Sequence, residues 1–171
     1  MIKMCGAALI LMASILVSGR LMKEKQDRYR LLADLKESLR YLNREIGERG
    51  VTLKECFGAL TQGTAGKSTR GFFGAVEVAL STLGEMPFSA IWQEGIQQHL
   101  YLLTDQEKEM LLPLGQALGR CDTTKLCEAL DETVRAIEEE IAEIKSGEGN
   151  YRRVAVGIPL SLGAIAVIML M

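Results

Sequence analysis

The chain has 171 residues, of which 48% are hydrophobic, 25% are charged and 5% are aromatic, and its formal net charge is −2. A nearly neutral chain with few aromatic residues lacks the basic surface that nucleic-acid binding requires, so nucleic acid is a poor candidate partner. Its four cysteines include no CxxC pair and it has one histidine. This composition predicts neither a structural zinc site nor any other cofactor.

Uncharged apolar segments stand at both ends of the chain, at residues 4–19 and 154–171. A helix needs about 20 apolar residues to cross a bilayer core, and about 17 are tolerated. We therefore expect transmembrane anchors at residues 1–22 and 152–171 on either side of one domain at residues 23–151. The competing interpretation of the first segment is a cleaved signal peptide, because Val17-Ser18-Gly19 resembles a cleavage site.

Basic residues mark the same side of both segments. They are Arg20, Lys23, Lys25, Arg28 and Arg30 after the first, and Lys145, Arg152 and Arg153 before the second. Because lysine and arginine near an anchor are retained in the cytoplasm, the sequence predicts a membrane protein with a cytoplasmic body. Both termini are then expected outside.

The body begins with a long predicted helix at residues 20–49, which ends at Gly50. It carries a single apolar stripe at spacings of three and four, formed by Leu32, Leu35, Leu39, Leu42 and Ile46. Thr52 and Glu55 form a capping box that opens a short helix through Leu60. Residues 61–71 are polar and glycine-rich, which favours an exposed loop.

That loop contains Gly66-Lys67-Ser68, which invites comparison with a phosphate-binding loop. The required first glycine falls at Thr61, and the segment follows a helix rather than a buried strand, so the pattern fails. A small membrane-bound enzyme with a phosphate site here is the weaker alternative. No catalytic constellation is found, and we expect a non-enzymatic protein.

Further helices are predicted at residues 72–83, where Gly84 ends the helix, and from Pro87 to about Leu100. Thr104 and Glu107 form a second capping box, which opens a helix to about Leu118 with a bend at Pro113. The last helix, residues 123–149, has a stripe formed by Leu126, Leu130, Val134, Ile137, Ile141 and Ile144. Strand alternation is missing from the sequence, so the fold class is all-α, a bundle of about six helices between two transmembrane helices.

The turn before the last helix has three residues with predicted structural roles. Gly115 and Gly119 lie four apart, so they leave one helix face open for close approach of a neighbouring helix. Gly119 can also end its helix, and Asp122 is expected to cap the next one, which is worth about 1 kcal/mol.

The two long helices differ in charge. Residues 20–49 carry nine basic and six acidic side chains, whereas residues 123–149 carry three basic and eight acidic side chains. Both lead to an anchor, so we expect them to pack antiparallel. A cluster formed by Glu138, Glu139, Glu140 and Glu143 is a candidate partner-binding face, and a solvated helix face is the simpler interpretation.

The chain resembles the stage III sporulation protein AB family of endospore-forming bacteria. The resemblance lies in the opening MIKMCGAALI, the stripe LLADLKESLRYLNREI, the Phe72-Phe73 pair, the stretch from Ser89 to Trp92 and the run from Pro113 to Asp122. It covers essentially the whole chain, and the Leu-Gly-x-x-Asp element from Leu118 to Asp122 is its most specific part.

The resemblance implies a part in the channel complex that links mother cell and forespore, at the outer forespore membrane on the mother-cell side. The family is similar to the platform proteins, or F components, of type II secretion and type IV pilus machines, and the body is expected to be F-domain-like. The implied partners are the secretion-type sporulation ATPase, protein AA, and the other membrane components of the complex. Platform proteins usually have two helical domains, so homo-oligomerisation could compensate for the single body here. A membrane-tethered adaptor with an acidic binding face is a further alternative.

Overall fold

The computed structural model describes the backbone of residues 2–81, 86–120 and 122–170, and the side chains of residues 19–20, 22–63, 65–81, 86–120 and 122–146. Within these ranges the chain forms six α-helices and no strand, which confirms the all-α prediction. The helices are α1 (Ile2–Arg49), α2 (Leu53–Ala59), α3 (Lys67–Ser81), α4 (Phe88–His99), α5 (Asp105–Leu118) and α6 (Thr123–Leu170), with a π-helical turn at Leu60–Thr64.

Two compact units make up the chain. One consists of residues 1–27 and 142–171, and the other, called the body below, consists of residues 28–141. The predicted anchors at residues 1–22 and 152–171 belong to the first unit, and nearly all of their side chains lie outside the described residues. Among the described residues, no helix is both long enough and apolar enough to cross a membrane.

Local sequence signals set the helix boundaries of the body. Gly50 follows α1 with φ 64°, a left-handed conformation that favours glycine and ends the helix where the sequence predicts. Both predicted capping boxes are present: the side chains of Thr52 and Thr104 accept the N–H groups of Glu55 and Glu107, whose carboxylates accept from the threonine backbone.

The apolar stripes of both long helices form much of the core. Every stripe residue of α1 is buried, and so is every stripe residue of α6 within the body, while Ile144 of the other unit is half-buried. Burying a large aliphatic side chain contributes about 1.5–3 kcal/mol, so these stripes are a main source of stability. The buried stripe residues are Leu32, Leu35, Leu39, Leu42, Ile46, Leu126, Leu130, Val134, Ile137 and Ile141.

An aromatic cluster forms a second part of the core, between helices α2 to α5, in which α3 packs on both α2 and α4, and α4 on α5. It contains all four phenylalanines of the chain and its single tryptophan, which are Phe57, Phe72, Phe73, Phe88 and Trp92. The Phe72 and Trp92 rings meet edge to face with centroids 4.9 Å apart, an orientation that aromatic pairs favour.

The prediction of an exposed loop at residues 61–71 is wrong for much of that range. The chain makes the π-helical turn, in which Gly63 has φ 141°, and α3 already begins at Lys67. The carboxylate of Asp34 on α1 accepts the backbone N–H of Ser68 at 3.3 Å, so it caps α3 from a distant part of the chain. The sequence therefore contains no local signal for this helix start.

Later boundaries follow the predictions more closely. Helix α3 ends at Ser81, and the predicted stop at Gly84 lies outside the described residues. Helix α4 begins directly after Pro87, and α5 continues from Asp105 to Leu118 through Pro113.

Candidate functional site

Helices α1 and α6 pack antiparallel in the body, as predicted. Asn43 Nδ2 donates to Asp131 Oδ1 at 2.6 Å. One turn further along α1, a Cβ built on Gly47 would lie 3.0 Å from Sγ of Cys127, so this glycine permits close approach. Because the α6 partner number falls as the α1 number rises, the two helices run in opposite directions.

The four glutamates proposed as a partner-binding face have different surroundings. Glu138 forms ion pairs with Arg40 and, at 4.0 Å, with Lys36 of α1. Glu140 accepts from Arg28 Nη2 at 2.6 Å. Glu139 is exposed in the body, and Glu143, also exposed, belongs to the other unit. Glu138 and Glu140 therefore hold α6 against α1, while Glu139 is open to a partner.

Glu139 belongs to an exposed charged stripe on α6. The stripe is formed by Glu128, Glu132, Arg135 and Glu139, at spacings of four, three and four residues. These spacings place the four side chains on one helix face. Along this line the charges have the order acid, acid, base, acid. The other exposed charged residues of α6 in the body are Lys125 and Asp131.

A three-residue ion cluster that sequence reasoning missed joins α1, α5 and α6. Arg28 Nε donates to both carboxylate oxygens of Glu107 at 2.9 and 3.0 Å, and its Nη2 bonds Glu140. The Glu107 side chain is only 1% exposed, and its Oε2 also accepts from Thr104 N at 2.6 Å. These bonds to Glu107 raise the pKa of Arg28 above its usual value. Arg28 thus serves as a structural cation in the body.

The predicted turn residues lie around the tryptophan. Trp92 Nε1 donates to the backbone oxygen of Leu111 at 2.8 Å, and a Cβ on Gly115 would lie 2.8 Å from Trp92 Cδ1. Gly115 therefore allows the indole to pack on the α5 backbone. Gly119 follows α5 in a right-handed conformation, with φ −79°. Asp122 Oδ1 accepts the N–H of Lys125 at 3.3 Å, which is a cap of α6.

The segment that resembles a phosphate-binding loop holds a carboxylate of the chain itself. A Cβ on Gly66 would overlap the carboxyl group of Asp34, whose Oδ2 accepts the N–H of Ser68. Backbone N–H groups at a helix start attract anions, and here the attracted anion is Asp34. Gly66 thus permits a close contact between α1 and the start of α3.

The described cysteines belong to the packing of the body. Cys56 is fully buried, and burial, with the charges of Glu45 and Glu55, raises the pKa of its thiol to about 11. Cys127 is half-buried, and its pKa is also raised, first by burial and then by Asp131. Among the residues with described side chains, no group of three His, Cys, Asp or Glu residues could hold a metal ion.

Comparison with known proteins supplies the family. A family model described as stage III sporulation protein AB matches residues 3–171. This chain belongs to that family. A solved structure described as stage III sporulation protein AB has a TM-score of 0.63 and 18% identity, covering 72% of this chain and 98% of its own. No curated protein matches the chain.

Family membership confirms the resemblance drawn from the sequence and implies a role in sporulation. The similarity to the solved stage III sporulation protein AB supports the helical fold, since 18% identity is too low to carry more. Three polar features of the described residues were identified above. They are the exposed charged stripe on α6 that contains Glu139, the ion cluster around Arg28, and the Asp34 carboxylate that caps α3. The stripe is exposed, whereas the other two bind parts of the chain to each other.

Proposed function

We propose that this protein is a non-enzymatic membrane scaffold of the sporulation channel complex that links mother cell and forespore. The observation that carries the proposal is the match of the family model to residues 3–171. The Asp34 carboxylate at the start of α3 argues against the alternative of a phosphate site in this segment, because it would repel a bound phosphate.

The proposed placement is the outer forespore membrane, with the body in the mother-cell cytoplasm and both termini on the other side. The support is the sequence: uncharged segments at residues 4–19 and 154–171, each with basic residues on the side of the body. Cysteine-accessibility labelling of intact, non-sporulating cells that carry the chain in the plasma membrane, with its four native cysteines replaced by alanine, tests this orientation. A membrane-impermeant thiol reagent should label a cysteine added after Met171, and a cysteine replacing exposed Thr124 should be protected.

The proposed partner of the body is the secretion-type ATPase, protein AA, together with the membrane components of the same complex. The structure makes the predicted acidic face more specific, because Glu138 and Glu140 already bond to α1. Glu139 is the member of the body's three consecutive glutamates that stays exposed. We assign it the first contact with a basic surface of the ATPase, and Glu143 remains a second candidate.

A binding assay between the full-length chain in detergent and the purified ATPase tests this contact. Glu139→Lys should weaken binding, with Glu143→Lys made separately and together with it. The matched control is Glu138→Gln with Glu140→Gln, which removes charge from the α1 contacts while Glu139 stays in place. Loss of ATPase binding only in the control variant would show that the contact does not depend on Glu139. Binding unchanged in every variant would refute an acidic docking face on α6.

A further inference from the structure

The outer surface of the α1–α6 pair carries two charge patterns of opposite sign. On α6 the exposed stripe has the order acid, acid, base at Glu128, Glu132 and Arg135. On α1 the exposed residues Arg44, Arg40 and Glu37 have the order base, base, acid. Both sets have spacings of four and three residues, so both form a single line on their helix.

One antiparallel register relates the two lines, since the two residue numbers of each opposed pair add to the same value. It places Arg44 opposite Glu128 and Arg40 opposite Glu132, and it places Glu37 opposite Arg135 in the same register. The register is close to the one inside the molecule, where Asn43 bonds Asp131 and Gly47 approaches Cys127. The difference is about two residues, or about 3 Å of helix rise, which long charged side chains can span.

The described ion pairs do not join the two lines within one chain. On α1, Arg40 pairs with Glu37 at 3.3 Å and also with Glu138 of α6, and Arg44 lies 3.6 Å from Glu45. Among the described residues, the α6 line is left without a basic partner from α1. We propose that the body forms a symmetric dimer with a second copy of itself, in which α1 of each copy lies on α6 of the other. The two-fold axis runs parallel to the helices, and each opposite-charge pair occurs twice, as an isologous interface requires.

The alternative axis, perpendicular to the helices, is disfavoured by charge. It would lay α6 on α6 and α1 on α1, so that two α6 stripes with three acidic residues each would face one another. Like charges placed opposite each other disfavour association. The parallel axis also keeps Arg28 and Ile141, where the body begins and ends, at the same end of both copies. That arrangement allows both copies to continue into one membrane.

The surface predicts a weak dimer. From residue 30 to residue 48 the face is about 27 Å long and about 20 Å wide, roughly 500 Å² per copy, against about 800 Å² in a standard interface. Among the described residues the exposed large apolar side chains are Met22, Val78, Met86 and Tyr101, and none lies on this face. Six exposed ion pairs of about 0–1 kcal/mol each then supply most of the attraction, which salt screens.

The dimer pairs only part of the α6 stripe. In the same register Glu139 lies opposite Ala33, which has no charge, so it makes no ion pair with the residue opposite it. Because Glu139 still lies within the dimer face, the dimer and the proposed ATPase contact would compete for this part of α6. The pairing needs no ATPase, and failure of one contact leaves the other testable.

Sedimentation of the full-length chain in neutral detergent micelles, over a series of protein concentrations, tests the dimer. One variant, Glu37→Arg with Arg44→Glu, reverses the α1 line, and a second, Glu128→Arg with Arg135→Glu, reverses the α6 line. Each keeps the net charge and leaves the ion pair between Arg40 and Glu138 in place. Each should weaken association at least about tenfold, because attractive pairs become repulsive.

The combination of all four substitutions decides the matter, because it restores opposite charges at every pair. We expect the association constant of the variant with all four substitutions to be within about threefold of that of the original chain. For both proteins the association constant should fall when sodium chloride rises from about 50 to about 500 mM. Helical content and melting temperature, measured on each variant, exclude loss of the fold. A monomer at low salt, unchanged association in either double variant, or no restoration in the combination would overturn the proposal.

Discussion

The body contains two regions with different physical chemistry. Helices α2 to α5 enclose the aromatic cluster, in which Phe57, Phe72 and Phe73 are fully buried. Helices α1 and α6 bury leucine and isoleucine inwards but are lined by ion pairs, such as the one between Arg40 and Glu138. Helices α2 to α5 are held together by the close packing of aromatic side chains, which supplies stability. Helices α1 and α6 also supply stability through their buried apolar stripes, and they carry a pattern of charged side chains on their exposed surface. We infer that recognition belongs to the α1–α6 surface.

The sharpest test of the aromatic region is Trp92→Ala. The ring is fully buried and bonds the Leu111 backbone, so its removal should cost about 3–5 kcal/mol of unfolding free energy. Urea denaturation followed by circular dichroism measures this cost. Tyr101→Ala is the matched control, since its side chain is 73% exposed and should change stability by less than about 0.5 kcal/mol. A similar cost for both variants would contradict the distinction.

Arg28→Ala tests the ion pair that joins α1 to the buried Glu107 carboxylate of α5. Glu107 would keep a buried carboxylate without its cation, at a cost of about 2–3 kcal/mol, reduced from a fully buried pair because Arg28 is a quarter exposed. Adding Glu107→Gln should recover at least half of the loss, because a neutral amide needs no counter-ion. Urea denaturation of both variants measures this, and a cost below about 1 kcal/mol for Arg28→Ala would show that the cluster is incidental.

Gly115→Ala and Gly119→Ala test shape in the aromatic region with the same added methyl group. At Gly115 the new Cβ would lie 2.8 Å from Trp92, so the indole must move, at about 1–3 kcal/mol. At Gly119 the nearest atoms lie 3.5 Å away, and the change should stay within about 0.5 kcal/mol. Melting temperatures measure both. Equal effects would argue against close packing of Trp92 on α5.

Apart from the control substitutions, Asp122→Ala should have the smallest effect, because it removes one cap from α6 and no core contact. The loss of the bond from Lys125 N–H should cost about 1 kcal/mol. Thermal unfolding measures it, with Asp122→Asn as the control that retains a capping oxygen. An unchanged melting temperature for Asp122→Ala would show that this cap contributes nothing.

The sequence predicted the features whose signals are local. The stripes of α1 and α6, both capping boxes and the stop at Gly50 depend on residues within one or two turns of each other, and the structure confirms them. The antiparallel pairing of α1 and α6 was predicted from the uncharged segments at both ends of the chain, because two helices that each lead to an anchor must return to the same membrane.

The features that the sequence did not predict depend on residues far apart in the chain. The start of α3 at Lys67 is capped by Asp34, and Arg28 bonds Glu107 across 79 positions. Glu107 was predicted as part of a capping box, but such a box usually lies at the surface, so its burial gave no local signal. The acidic cluster was predicted as one face, whereas the fold separates Glu139 from Glu138 and Glu140.

The most direct test of outward recognition is a count of heat-resistant spores in a strain whose chromosomal copy carries Glu139→Lys. The purified protein should keep its melting temperature within about 2 °C, because the side chain is exposed. Spore yield should fall at least about tenfold, while Glu94→Lys, an exposed change on α4, leaves it intact. Normal spore yield with Glu139→Lys would contradict the assignment of recognition to the α6 surface.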